Sequence, residues 1–190
     1  MPQISFIKPK QIIGNHLILR DVEVEDSLFI LNLRTDTTKS KYLSSTSNDL
    51  LQQIEWIKKY KQDNSQLYFL IQDQNLEQVG TVRLYDAQED SFCWGSWILK
   101  ANTPSGYSIE SALIIYSYAL SLGFTKAHFD VRKENESVWR FHERFGAIKV
   151  DETDKDYFFT ISFEAIKNSL ERYSKYLPKN IKLFYKQGIF

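Results

Sequence analysis

The sequence predicts an α/β chain built on a mixed sheet flanked by helices, and three observations carry that prediction. Segments with strand-like and helix-like apolar spacing alternate along the chain. One strand, Phe92 to Lys100, passes through a turn of small residues (Ser105, Gly106, Ser108) into a long helix ending at Gly123, and a further strand, Lys126 to Val131, follows. A strand that returns after a helix implies a sheet with that helix packed on it. Leu67 to Gln72 and Gln78 to Tyr85, joined around Asp73-Gln74-Asn75, read as a hairpin.

The remaining elements follow in order. Leu17 to Arg20 is a short strand and Asp26 to Leu33 an amphipathic helix. Arg34 to Asn48, with its clustered Thr and Ser, reads as a loop or broken helix. Asp49 to Gln62 is a helix that turns Leu50, Ile54, Ile57 and Tyr60 inward. In the helix before Gly123, Ile109, Ala112, Leu113, Tyr116, Ala119 and Leu120 share one apolar face. Asn135 to Ala147 holds a short helix with Asn135 as N-cap and Gly146 just past its end. Tyr157 to Phe163 is the final strand, and Glu164 to Tyr176 a C-terminal helix stopped by Pro178. No linker or repeat divides the chain, so residues 1–163 are expected to form the main domain. Residues 164–190 form an extension packed on it or on a partner subunit.

Composition narrows the function classes. Lys plus Arg and Asp plus Glu are equal at 24 each, which argues against a general nucleic-acid or acidic-membrane binder. Met1 to Lys10 has no apolar signal core and no run approaches membrane-spanning length, so a cytoplasmic protein without membrane insertion is expected. The single cysteine, Cys93, excludes an internal disulfide framework and a Cys-based zinc site. His16, His128 and His142 lack ligand spacing, so no metal is expected. The Lys- and aromatic-rich stretch Arg172 to Phe190 reads as packing on a sheet edge or on a second subunit in a homodimer, rather than as a nucleic-acid surface.

Two segments carry the chemistry. The strand, small-residue turn and helix start at Ser105 to Ser108 gather backbone N–H groups at the positive end of a helix dipole, an arrangement suited to phosphate. Its plain alternative is a loop that merely caps a helix. The second segment is Asn135-Glu136-Ser137-Val138-Trp139-Arg140-Phe141-His142-Glu143-Arg144-Phe145-Gly146-Ala147. A Gly-type turn opening a long helix, then a strand, then Asn with a later aromatic, basic residue and Gly resembles the GNAT superfamily of N-acyltransferases, from about Leu17 to about Phe163.

That resemblance implies a sheet splayed between its fourth and fifth strands, with the pantetheine arm of acetyl-CoA or another short acyl-CoA lying in the gap. Gly95, mid-strand, permits a bulge there, or it only relieves crowding between Trp94 and Trp97. Backbone groups of Ile98, Leu99 and Lys100 would pair with the cofactor's amides, and an amide such as that of Ile98 would hold the oxyanion. Ser105, Gly106, Tyr107 and Ser108 would take the pyrophosphate. The turn departs from the family pattern: Pro104 stands at its first glycine and has no N–H. Asn135 matches a pantetheine contact, with Ser137 and Phe141 on the same helix as further cofactor-side candidates. Arg144 matches a basic position near the 3′-phosphate, or is a solvated charge. His142 stands where the family commonly has the tyrosine that protonates the leaving thiolate, or it is a satisfied core residue. The implied reaction is direct attack of a primary amine on the thioester, with Glu110, His128 or Asp130 as the base.

For the acceptor, Arg34, Lys41 and Tyr42 with Arg83 and Tyr85, and Trp94 on the neighbouring strand, offer cationic donors and aromatic faces. These suit a nucleotide-linked amino sugar of the kind acylated for surface polysaccharides. A protein N-terminus, a small amine such as a polyamine, and a non-catalytic acyl-CoA-binding module stand as the alternatives.

Overall fold

The computed structural model describes residues 4–36, 42 and 47–185. Its elements are β1 (Gln11–Ile13), β2 (Leu17–Asp21), α1 (Ser27–Thr35), α2 (Leu50–Gln62), β3 (Leu67–Asp73), β4 (Gln78–Gln88), β5 (Ser91–Leu99) and α3 (Gly106–Leu122). They continue with β6 (Lys126–Arg132), α4 (Glu136–Arg144), β7 (Ile148–Glu152), β8 (Asp156–Ile161), α5 (Phe163–Arg172) and β9 (Lys182–Phe184). All nine strands join one mixed sheet in the order β7-β8-β6-β5-β4-β3-β2-β1-β9. Neighbouring strands are antiparallel except β5 and β6, which run parallel because α3 carries the chain across between them.

Two cores hold the helices to the sheet. On one face Val22, Tyr68 and Leu70 meet Ile30 of α1 and Ile57 and Tyr60 of α2. Asp49 caps α2, its side chain accepting from the Leu51 and Gln52 N–H groups, an arrangement worth about 1 kcal/mol. Leu50, expected to point inward, is 37% exposed and Gln53 is buried in its place, while Ile57 and Tyr60 are buried as expected. On the other face a larger core packs Phe69, Val82, Leu84, Phe92 and Phe129 under α3 and α4.

Helix α3 is buried on nearly every side, where the sequence suggested a single apolar face. The segment before β2 runs over its outer surface. Tyr118 Oη donates to the Ile7 carbonyl, Phe6 packs on Phe124 with ring centroids 5.2 Å apart, and a Cβ at Gly14 would strike Ile114. At the C-terminal end α5 begins at Phe163, which was expected to close the last strand; Ser162 Oγ accepts from the Ala165 N–H and starts the helix there. Ile166 of α5 is buried in the larger core and β9 pairs with β1, so the described part of the C-terminal extension packs on this same sheet.

The sheet splits along β5 and β6. Their pairing runs through Ser91↔Lys126, Phe92↔Ala127 and Cys93↔His128, while β5 continues to Leu99 and β6 to Arg132. The cause lies in β5. Its register with β4 steps from Arg83↔Gly95 to Thr81↔Ile98, three residues against two, and Ser96 sits at φ 47°. An extra residue bends the strand that carries it, and here it turns β5 away from β6.

Candidate active site

The split opens a cavity of about 260 Å³ lined from both faces of the sheet. Trp94, Trp97, Phe129, Asn135, Val138 and His142 line it on the α3–α4 side; Tyr42, Tyr85, Asp130 and Arg132 line it on the α1–α2 side. Gly95 lies between, and a Cβ there would sit 3.0 Å from the Tyr85 hydroxyl, so the missing side chain keeps the passage open. The bulge also flips strand parity. Trp94 and Trp97 would face opposite ways on a regular strand, yet their rings pack 5.3 Å apart on one face. Trp94 is therefore on the side away from Arg83 and Tyr85, with its Nε1 donating to Tyr116 Oη at 3.3 Å, and is not grouped with the acceptor residues. Trp97, Val138 and Arg132 escaped sequence reasoning. Doubling of the Trp pair around Gly95 was the available signal for Trp97.

Of the backbone groups expected to meet a cofactor, two face the wrong way. The Lys100 N–H donates to the Val79 carbonyl at 2.8 Å, and the Ile98 carbonyl lies against Gly80, where an added Cβ would come within 2.3 Å. Both groups are committed to β4. Strand alternation then turns the peptide groups of Leu99 toward the gap.

At the turn, the Tyr107 N–H is spent on the Pro104 carbonyl at 2.9 Å, and Ser108 Oγ donates to the Ser105 carbonyl at 2.9 Å. The positive end of α3 remains, with Ser105 exposed and Gly106 partly so. Gly106 carries a second constraint, since a Cβ there would lie 3.1 Å from two ring carbons of Tyr176. On α4, Asn135 holds the N-cap position but its side chain makes no cap bond; Ser137 Oγ donates weakly to its Oδ1 at 3.4 Å. Phe141 is 7% exposed and packs on Trp97 and Phe145, a core role rather than a cavity wall. Arg144 is exposed, and its carbonyl accepts from Arg172 and Tyr173.

His142 is 5% exposed, wedged 4.2 Å from the Phe129 ring and 5.1 Å from that of Trp94. Its Nδ1 is buried with no hydrogen-bond partner. Loss of solvation drags its pKa down to about 3. The imidazole is therefore neutral near pH 7, which weighs against an imidazolium acting as the acid expected at this position. A neutral N–H donor is what it can offer.

The three proposed bases separate cleanly. Glu110 is 1% exposed, and its Oε1 accepts from the N–H groups of Asn15, His16 and Leu17 at 2.7, 2.7 and 2.9 Å. It clamps the β1–β2 turn onto α3 and does not line the cavity, so it is withdrawn as a base. His128 is held by Ser91 Oγ at 2.7 Å and Asp86 Oδ2 at 3.1 Å, outside the cavity lining. Asp130 is exposed and lines the cavity.

On the acceptor side, Tyr42 and Tyr85 line the cavity. Burial raises the pKa of Tyr85, with Cys93 adding to it, and burial lifts the Cys93 thiol to about 11, so both stay protonated. Arg83 lies between Tyr85 and Trp56. Arg34, in the last turn of α1, lies near enough to act on the charge of Arg83. Lys41 falls outside the described residues. Among the described residues no group of His, Cys, Asp and Glu could hold a metal ion.

An acetyltransferase (GNAT) domain model matches residues 16–148. The chain belongs to the GNAT acetyltransferase family. Among solved structures this acetyltransferase is similar to apo FdhC, a nucleotide-linked sugar GNAT, at 35% identity over 92% of this chain and 99% of that one, with a TM-score of 0.78. It shares its fold with a chimera of the spermidine N-acetyltransferase SpeG from Vibrio cholerae and hSSAT at 19% identity, 81% and 99% coverage and TM-score 0.71. Vibrio cholerae spermidine N-acetyltransferase in complex with CoA and spermine matches at 20% identity, 80% and 99% coverage and TM-score 0.68. No curated protein matches the chain. The acetyltransferase is an N-acyltransferase, and its family draws the acyl group from acetyl-CoA. The residues fit that donor: the splayed strands, the Leu99 peptide groups turned to the gap and the Asn135 side chain, held only weakly by Ser137, form a trough that an extended amide chain would complete. No helix among the described residues is long and apolar enough to cross a membrane.

Proposed function

We propose that this acetyltransferase moves an acetyl or another short acyl group from acyl-CoA to the primary amine of a nucleotide-linked amino sugar. The observation that carries the reading is the 35% identity to a nucleotide-linked sugar GNAT along 92% of the chain, against 19–21% for the spermidine enzymes. The two-faced cavity supports it. A donor entering along β5 and α4 and an acceptor entering past Tyr85 would meet at Gly95, and holding both there supplies roughly 7–11 kcal/mol of the barrier reduction. Acyl-CoA supplies an already activated thioester.

The chain's own groups divide the remaining work. Asp130, exposed at the acceptor mouth, takes the proton from the incoming ammonium directly or through one water. Leu99 peptide groups and the Asn135 side chain align the pantetheine arm. Ser105 and Gly106 at the start of α3 meet the pyrophosphate, with Arg144 serving the 3′-phosphate. His142 donates a neutral hydrogen bond toward the leaving sulfur and excludes water with Trp94 and Phe129.

A second reading has one observation in its favour: Asp86 and Asp130 are exposed on the acceptor face and suit a cationic polyamine. Steady-state turnover with acetyl-CoA and a panel of nucleotide amino sugars, spermidine and short peptides separates them. Turnover of a nucleotide amino sugar at kcat/KM at least tenfold above any other amine is expected. Turnover of spermidine or peptides with none on any nucleotide sugar would overturn the acceptor assignment.

A further inference from the structure

Among the described residues, Arg83 is a partly buried arginine with no carboxylate partner. It projects from β4 into an aromatic box, its guanidinium carbon 5.1 Å from the ring centre of Trp56, 5.1 Å from that of Tyr85 and 5.9 Å from that of Tyr68. Its Nη2 donates to Gln66 Oε1, and its Nε is buried with no partner. No carboxylate among the described residues pairs with it. Arg20 shows how the same sheet treats a structural arginine: Nη1 and Nη2 grip both oxygens of Asp26 at 2.7 Å. Burial presses the Arg83 pKa down, and Arg34 nearby adds to the pressure. A half-desolvated arginine beside a second cation is costly to keep unless something anionic arrives.

Space for such a group adjoins it. A cavity of about 600 Å³, separate from the one at the split, is lined by Arg83, Gln66, Asn64, Phe6, Tyr85 and Asp86. Tyr85 belongs to the lining of both cavities, so a ligand anchored at Arg83 would reach past one side chain to the amine position beside Gly95. The planar fork of arginine suits paired phosphate oxygens, and stacking on Trp56 and Tyr85 fixes the plane of that fork. The same charge repels a polyamine.

Resting on the acceptor reading above, we propose that Arg83 is the residue that recognises the nucleoside diphosphate of the acceptor, with the second cavity as its nucleoside subsite. Gln66 holds the guanidinium in place until the phosphate oxygens meet it, and a small shift of the fork then brings the buried Nε to them. The Asn64 amide then offers the donor and acceptor that a nucleobase or ribose needs.

Isothermal titration of the full chain with UDP, dTDP and inorganic pyrophosphate tests this without any turnover. Arg83→Met should weaken the best nucleoside diphosphate by more than tenfold, and Arg83→Lys, which keeps charge but loses the fork, should fall between. Acetyl-CoA affinity should be unchanged in both, which shows that they fold. With a buried unpaired charge removed, Arg83→Met should also melt at or above the parent temperature. Equal diphosphate affinity in parent and Arg83→Met, or no diphosphate binding to the parent, overturns the assignment. Nucleotide amino sugars turned over equally well by parent and Arg83→Met would overturn it while leaving the acceptor reading intact. Arg83-dependent diphosphate binding in a protein that acylates only peptides would support the anion site and sink the acceptor reading instead.

Discussion

The ring of Tyr176, just beyond α5, rests on the backbone of Gly106, the first residue of α3. The C-terminal segment thereby reaches the turn where the donor's phosphates are expected, and the tightness is set by one absent methyl. Gly106→Ala must push the ring by a few tenths of an ångström or tilt the helix start. Loss of about 1 kcal/mol in unfolding free energy is expected, and Tyr176→Ala in the same chain should recover most of it. A double-mutant cycle by chemical denaturation should give a coupling above about 0.5 kcal/mol. Additive effects would mean the two residues are energetically separate.

His142 makes the fold sensitive to acid. Its folded pKa, about 3, lies below the unfolded value of 6.5, so the unfolded chain binds the extra proton first. Stability is whole above pH 6.5 and drains away as pH falls toward 3, by on the order of 5 kcal/mol if the full shift is expressed. His142→Phe should flatten that part of the stability–pH curve. It should also leave the pH–rate profile without a lost limb near neutrality, because the imidazole does not titrate there.

Glu110 should prove structural. Glu110→Ala strips the acceptor from three N–H groups in the β1–β2 turn, and a loss of about 2–4 kcal/mol is expected. Under conditions where the variant is folded, kcat per folded molecule should match the parent. A fall in kcat beyond tenfold would return Glu110 to the chemistry.

Asp130 should behave in the opposite way. Because it is exposed and no hydrogen bond or ion pair among the described residues ties it down, Asp130→Asn should leave the melting temperature unmoved while kcat/KM drops by about a hundredfold. A change of less than threefold would place the base elsewhere.

Much of this architecture was legible because strong periodicity and turn chemistry mark it. The β3–β4 hairpin, α2, β5, α3 and β6 stand within a few residues of their sequence-based limits. Three strands were not legible. Gln11–Ile13 and Lys182–Phe184 hold three residues each and exist by pairing with one another across most of the chain; Ile148–Glu152 is exposed at every position, so no buried face shapes its pattern. The site was half legible. Asn135, His142, Tyr85 and Asp130, each singled out from the sequence, line one cavity. Spacing alone could not say that Glu110 answers to backbone amides ninety-odd residues away, or that Ile98 and Lys100 turn toward β4. Those depend on long-range register.

Three rungs, Ser91 to Cys93 against Lys126 to His128, stitch the β1–β5 and β9 plate of the sheet to the β6–β8 plate. In mechanical terms the molecule carries a built-in crack whose tip lies at Cys93 and His128. Cracks concentrate opening motion at the tip, so gap-facing amides along Trp94 to Leu99 and Phe129 to Arg132 should take up deuterium faster than those of the outer strands. An extended donor laid between the lips bridges them, and the same amides should then slow together. Substrate, on this view, doubles as the missing rivet of the scaffold that turns it over.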